Sequence, residues 1–207
     1  MNHRLIGAAV AAALACAAQP ALAQQAGTYT LGIGAHQVTP KSDNGSLLGG
    51  TADLEIGDDV QPTITFEYFI RENLGIEVLA AAPFKHDIEI KGLGKVGSTK
   101  HLPPVFSLQY HWNSRGTVSP FVGVGINYTT FFSEKTSGPL RGNDLKLDDS
   151  VGVAAHLGID FIITERSAIR VDARWIDIES DVELNGEKIG KADIDPAVYG
   201  LAYVMKF

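Results

Sequence analysis

"YGLAYVMKF", residues 199–207, alternates with period two. Tyr199, Leu201, Tyr203, Met205 and Phe207 fall on one face of an extended chain, and Gly200, Ala202, Val204 and Lys206 on the other. Termini of soluble domains are usually polar and frayed, so an aromatic and aliphatic stripe here implies an apolar medium outside the protein. If lipid covers it, the same alternation must recur upstream in segments long enough to cross a bilayer.

It recurs in seven more segments: 28–38, 63–70, 74–84, 101–112, 120–132, 150–163 and 168–178, with 196–207 as the eighth. One face of these carries Leu31, Ile64, Phe66, Ile76, Leu108, Val124, Leu157 and their like, with no charge. The other carries Thr30, Glu67, Glu77, Gln109, His111, His156, Asp160, Arg170 and Asp172. Segments of about ten residues cross a membrane when tilted. A soluble eight-stranded barrel would turn the charge-free face inward, where there is room for about one small ligand and not for so many large side chains. Tyr29, Tyr68, Tyr110, Trp112 and Tyr203 sit near strand ends, where interfacial girdles belong.

The spacers alternate in length. Residues 71–73, 113–119 and 164–167 are short, whereas 39–62, 85–100, 133–149 and 179–195 are long. The expected fold is therefore an all-β, eight-stranded antiparallel transmembrane barrel with short periplasmic turns, long extracellular loops and both termini on the periplasmic side.

Residues 1–23 read differently. Arg4 precedes the apolar run "LIGAAVAAALACAA", and Ala21-Leu22-Ala23 is a small-x-small cleavage site, so 1–23 is expected to be a cleaved export signal and 24–207 the barrel. Cleavage would remove Cys16, the sole cysteine, and with it any disulfide or thiol chemistry. Lys and Arg total 17 against 24 Asp and Glu, an acidic balance that excludes nucleic acid as a partner. His36, His86, His101, His111 and His156 show no metal-type spacing, and no nucleophile–base set stands out, so neither cofactor, metal nor enzymatic activity is expected. His86 and His101 flank the second long loop and are expected to be solvated.

"LGIEVLAAAPFKHDI" (74–88), "HLPP" (101–104), "FVGVGINYTTFF" (121–132), "LDDSVGVAAHLGIDFII" (147–163) and "WIDI" (175–178) together resemble the OmpW family, which includes the AlkL proteins found beside alkane-oxidation systems. The resemblance covers essentially all of 24–207 and implies an eight-stranded outer-membrane barrel that admits small hydrophobic molecules. It departs from the family pattern at Arg174, where an aromatic is usual. A C-terminal aromatic stripe also resembles the signal read by the barrel-assembly machinery, here Tyr199, Leu201, Tyr203, Met205 and Phe207.

The inward positions suggest a route. Near the strand tops they are apolar: Val38, Leu79, Ala81, Pro83, Phe131, Ile176 and Ile178, a funnel open to the outside. Lower down, Glu77, Asn127, Arg170, Asp172 and Arg174 form a polar, charge-paired plug. Pro83, Pro103 and Pro104 lack ladder donors and either open the wall sideways or simply end their strands. The expected function is passive uptake of small hydrophobic solutes across a Gram-negative outer membrane with exit into the bilayer, in contact with lipids and lipopolysaccharide. The alternative is a structural or stress-related barrel, or a receptor for phage or bacteriocin, with no transport role.

Overall fold

The computed structural model describes residues 24–113 and 115–207 and contains fifteen strands. They are β1 (Tyr29–Thr39), β2 (Ser46–Leu47), β3 (Ala52–Ile56), β4 (Asp59–Arg71), β5 (Leu74–Ala81), β6 (Phe84–Ile90), β7 (Gly94–Leu102) and β8 (Val105–His111). Then come β9 (Val118–Thr136), β10 (Leu145–Leu147), β11 (Ser150–Thr164), β12 (Ser167–Ile176), β13 (Glu179–Leu184), β14 (Glu187–Asp193) and β15 (Ala197–Lys206). The export segment read from residues 1–23, Cys16 included, lies outside the described residues.

Eight of these close into an antiparallel ring in the order β1-β4-β5-β8-β9-β11-β12-β15. The stripe quoted above is the closing strand: β15 pairs with β1 from Thr30↔Lys206 to Thr39↔Ala197. Phe207 adds two backbone bonds with Tyr29 and stacks on its ring at 5.4 Å. Short turns join the strands at this end. Asn73, in the turn after β4, takes φ +65°, a left-handed value that asparagine tolerates. The charge-free face points outward, with Val124, Ile126, Val151 and Leu157 among its most exposed side chains. Lipid replaces water as the medium that covers it.

The connections expected as loops are largely strands. β9 is 19 residues long, about 60 Å at strand rise, and so runs well past a bilayer. Its lower part pairs with β8 and β11, while residues 130–136 pair with β7. From there an antiparallel series β7-β6-β3-β2-β14-β13-β10 forms a collar above the barrel. Asn185 and Gly186, with φ +55° and +81°, close the β13–β14 hairpin as a two-residue turn of the kind that matches strand twist.

Two of the eight expected strands are broken. Segment 74–84 divides into β5 and β6, and 101–112 into β7 and β8. The β5–β8 ladder stops at Leu79↔Val105, and the β6–β7 ladder starts at Phe84↔His101. Among the described residues no strand pairing joins 80–83 to 102–104.

Candidate functional site

Inside the membrane-spanning ring the strand registers bring charges face to face. Asp160 lies opposite Arg170 across β11–β12, and Glu67 lies opposite Glu77 across β4–β5. Two carboxylates so placed repel unless a cation sits between them. Arg170 is that cation. Its Nε and Nη2 donate to the two oxygens of Asp160 at 2.7 and 2.9 Å, and Nη1 to Glu77 at 2.7 Å. Nη2 also lies 3.4 Å from Glu67, and the guanidinium is held 4.5 Å from the centre of the Phe121 ring. Arg174 donates to Asp172 at 2.8 Å and to Glu77 at 2.7 Å, so Glu77 bridges both arginines.

Three histidines fasten this network to the wall. His36 takes a hydrogen bond from Thr63 (2.7 Å) and gives one to Asp172 (3.3 Å). His111 accepts from Gln24 and donates to Glu67, both at 2.9 Å. His156 donates to Gln109 at 2.7 Å, and Gln109 donates to Glu67 at 3.0 Å. Glycines provide the space: a Cβ on Gly200 would lie 2.2 Å from His36 Nε2, and one on Gly75 would lie 2.3 Å from a Glu67 oxygen. Phe69, fully buried, packs against His111 at the periplasmic end. Dense ion pairing with these fillers leaves the lower lumen occupied across its section.

Four of the five residues expected in the plug, Glu77, Arg170, Asp172 and Arg174, meet there. Asn127 does not: it donates to the Pro104 carbonyl (3.1 Å) and accepts from Thr129 (2.6 Å), tying the wall near the break in β7–β8. Glu67, Asp160, His36, His111, Gln109 and Phe121 are further members that reading residue types alone left out of the plug. Counting back from the short turns would have found the carboxylates, since a hairpin fixes its register.

Above the plug the lumen is apolar. Val38, Leu79, Phe131, Ile176 and Ile178 are buried in one cluster with collar residues such as Leu54, Ile88, Val96, Leu145 and Val182, and Ala81 packs against it. Pro83 is a correction: it is exposed, between β5 and β6 at the break in the wall, and is not part of the apolar cluster. The open funnel is a second correction. The collar roofs the chamber and fills it with side chains, leaving a cavity of about 30 Å³ bordered by Leu47, Leu54, His86, Phe131 and Val182 among others.

His86 and His101 are a third correction. They are 2% and 0% exposed, and their Nε2 atoms are 2.9 Å apart. His86 Nδ1 bonds the Gly57 carbonyl, and Phe84 and Phe131 stack on His101. Burial, and then the neighbouring His86, push the His101 imidazole down to about 3. Burial likewise lowers His86, against the pull of its backbone bond to Gly57 and of the Asp59, Asp58 and Asp87 carboxylates. Both rings are neutral, as a chamber of this kind requires.

The model of the OmpW family matches residues 25–207. The chain belongs to the OmpW family. Outer membrane protein W of Vibrio cholerae is 35% identical over 219 residues, covering 100% of both chains. Outer membrane protein AlkL of Ectopseudomonas oleovorans is 32% identical over 157 residues, 72% of this chain and 67% of that one. The crystal structure of OprG from Pseudomonas aeruginosa superposes with a TM-score of 0.80 at 31% identity, covering 89% of this chain and 99% of that one. OmpW-family membership places this barrel in the outer membrane, in a family of barrels rather than of enzymes.

Proposed function

We propose that the barrel carries small hydrophobic molecules passively from the cell exterior into the outer membrane, leaving through the wall rather than through the periplasmic end. The observation that carries this reading is the stacking of an apolar chamber on a closed, charge-paired plug, with an unpaired stretch of wall beside the chamber. Driving a solute with about 200 Å² of apolar surface from the chamber into the plug would forfeit about 5 kcal/mol at ~25 cal/mol per Å². Moving it sideways into lipid forfeits none. Among the described residues no strand pairing joins 80–83 to 102–104, the stretches that hold Pro83, Pro103 and Pro104, so no ladder need break between them. Because the chamber is filled by its own side chains, solutes are admitted as the collar parts from the wall.

The same reading takes residues 1–23 as the export signal and the 199–207 stripe as the assembly signal, with lipopolysaccharide around the outer half. The test is uptake of a medium-chain alkane or ester by cells at matched surface expression. Leu79→Asp or Phe131→Asp puts a carboxylate in the apolar path, where it must be desolvated or draw in water, and uptake should slow. Arg170→Ala with Glu77→Ala should raise ion conductance in planar bilayers and leave hydrophobic uptake nearly unchanged. If opening the plug speeds hydrophobic uptake, lateral exit is wrong; if no chamber variant alters uptake, a receptor or structural barrel is the better reading.

A further inference from the structure

The histidine pair in the chamber has a direction. The Gly57 carbonyl can only accept, so His86 Nδ1 carries its proton and the neutral ring offers a lone pair at Nε2. The bond to His101 then requires His101 Nε2 to be the donor. That leaves His101 Nδ1 a bare acceptor, and this buried atom has no hydrogen-bonding partner. Each bond in such a chain polarises the next, and the chain ends on an atom that needs a donor.

The surroundings restrict what can supply one. His101 is enclosed by the Phe84 and Phe131 rings and by His86. The cavity is bordered by His86, Phe131 and Thr99 and otherwise by aliphatic side chains; His101 touches His86 and Phe131 but does not itself border it, so a solute reaches Nδ1 only as the chamber opens. A cation would have to be stripped of water there. A neutral hydroxyl on an apolar body meets both demands: its O–H satisfies Nδ1 while its hydrocarbon covers the chamber wall.

We propose that His101 is a recognition point for the hydroxyl of an otherwise apolar solute, so that the chamber favours alcohols and phenols over alkanes and ethers of equal size. This rests on the reading of the barrel as a route for hydrophobic molecules, but binding at the chamber can be measured without transport. The probes are 1-octanol and heptyl methyl ether, isomers that differ in having or lacking a donor. The wild-type protein and His101→Phe, which keeps a ring between Phe84 and Phe131, are titrated in the same phospholipid nanodiscs, and the amide shifts of β6 and β7 are followed. Comparing variants in one lipid cancels the unequal partitioning of the two isomers.

The octanol-to-ether affinity ratio is expected to fall about fivefold from wild type to His101→Phe, the scale of one neutral hydrogen bond. Independently of any variant, the His101 Nδ1 nitrogen resonance of the wild-type protein should move on adding 1-octanol and stay in place with the ether. An unchanged ratio together with a still Nδ1 resonance overturns the proposal, as does the failure of both isomers to perturb the chamber. If the ratio falls as expected while Leu79→Asp and Phe131→Asp leave cellular uptake untouched, recognition stands and the transport reading is the part that fails.

Discussion

Replacing Arg170 with alanine tests the plug where its bonding is densest. The guanidinium makes two short bonds to Asp160 and one to Glu77, with Glu67 at 3.4 Å. After truncation Glu77 keeps Arg174. Asp160 is left with no side-chain donor among the described residues, because His111 Nδ1, 3.8 Å away, accepts from Gln24, so it becomes the stranded charge. Removing one partner of a buried pair costs about 3–5 kcal/mol. For a chain of this size each kcal/mol moves the midpoint by roughly 2–4 °C, so a fall of roughly 10 °C is expected. The assay is the temperature at which the folded, heat-modifiable band is lost on gels. Arg170→Met combined with Asp160→Leu removes the stranded charge and should recover part of the loss, the remainder being the repulsion of Glu67 and Glu77 across β4–β5 once their shared cation is gone. A midpoint for Arg170→Ala equal to wild type would show that these groups do not hold the plug.

Other perturbations reach the wall, the collar and the seam. Deleting Phe207, or Phe207→Asp, removes the stack on Tyr29 at the closing strand and should reduce the fraction of folded barrel in cells; normal assembly would argue against any role for the stripe. Gly125→Ala would set a Cβ 2.1 Å from the Phe106 carbonyl oxygen, whereas Gly57 has nothing within 4 Å, so Gly125→Ala should lower the unfolding midpoint and Gly57→Ala leave it in place. The collar should loosen in acid. His86 and His101 are neutral when packed and would gain protons below their ordinary 6.5 once released. Its stability is therefore full above about pH 6.5 and falls toward pH 3 by up to about 1.4 kcal/mol per unit for His101. Amide-exchange protection factors in β6 and β7, referenced to β1, should drop between pH 7 and pH 5 and depend less on pH in His101→Phe. Equal protection at both values would refute this.

The barrel was readable because one physical constraint, lipid outside, acts on every second residue of eight segments. Long connections carry no such constraint. The collar strands pack one face on a small apolar core and expose the other to water, so patterns such as "DLEI" (53–56) and "HDIEI" (86–90) are short and ambiguous. Asn185-Gly186 was the clearest hairpin signal there, and it sits between β13 and β14. The plug was half legible. Residue type and face picked out Arg170, Arg174, Glu77 and Asp172, but who bonds whom depends on register, and Asn127 fell to the wall through Pro104. His86 and His101 misled because flanking a loop suggests solvent, whereas pairing across β6–β7 brought both under the collar.

β9 belongs to both storeys. Because it runs unbroken from Val118 to Thr136, with partners on either side of the membrane boundary, the collar cannot lift off as a separate cap. Bending there would cost ladder bonds along its length. Beside it the wall is already interrupted between β5 and β6 and between β7 and β8, and β9 spans the second of these breaks, pairing with β8 below it and with β7 above. β9 thus splints one edge of the break, and any parting of collar from barrel opens away from it, between 80–83 and 102–104. Direction of release is therefore written into one unbroken strand and the rupture beside it.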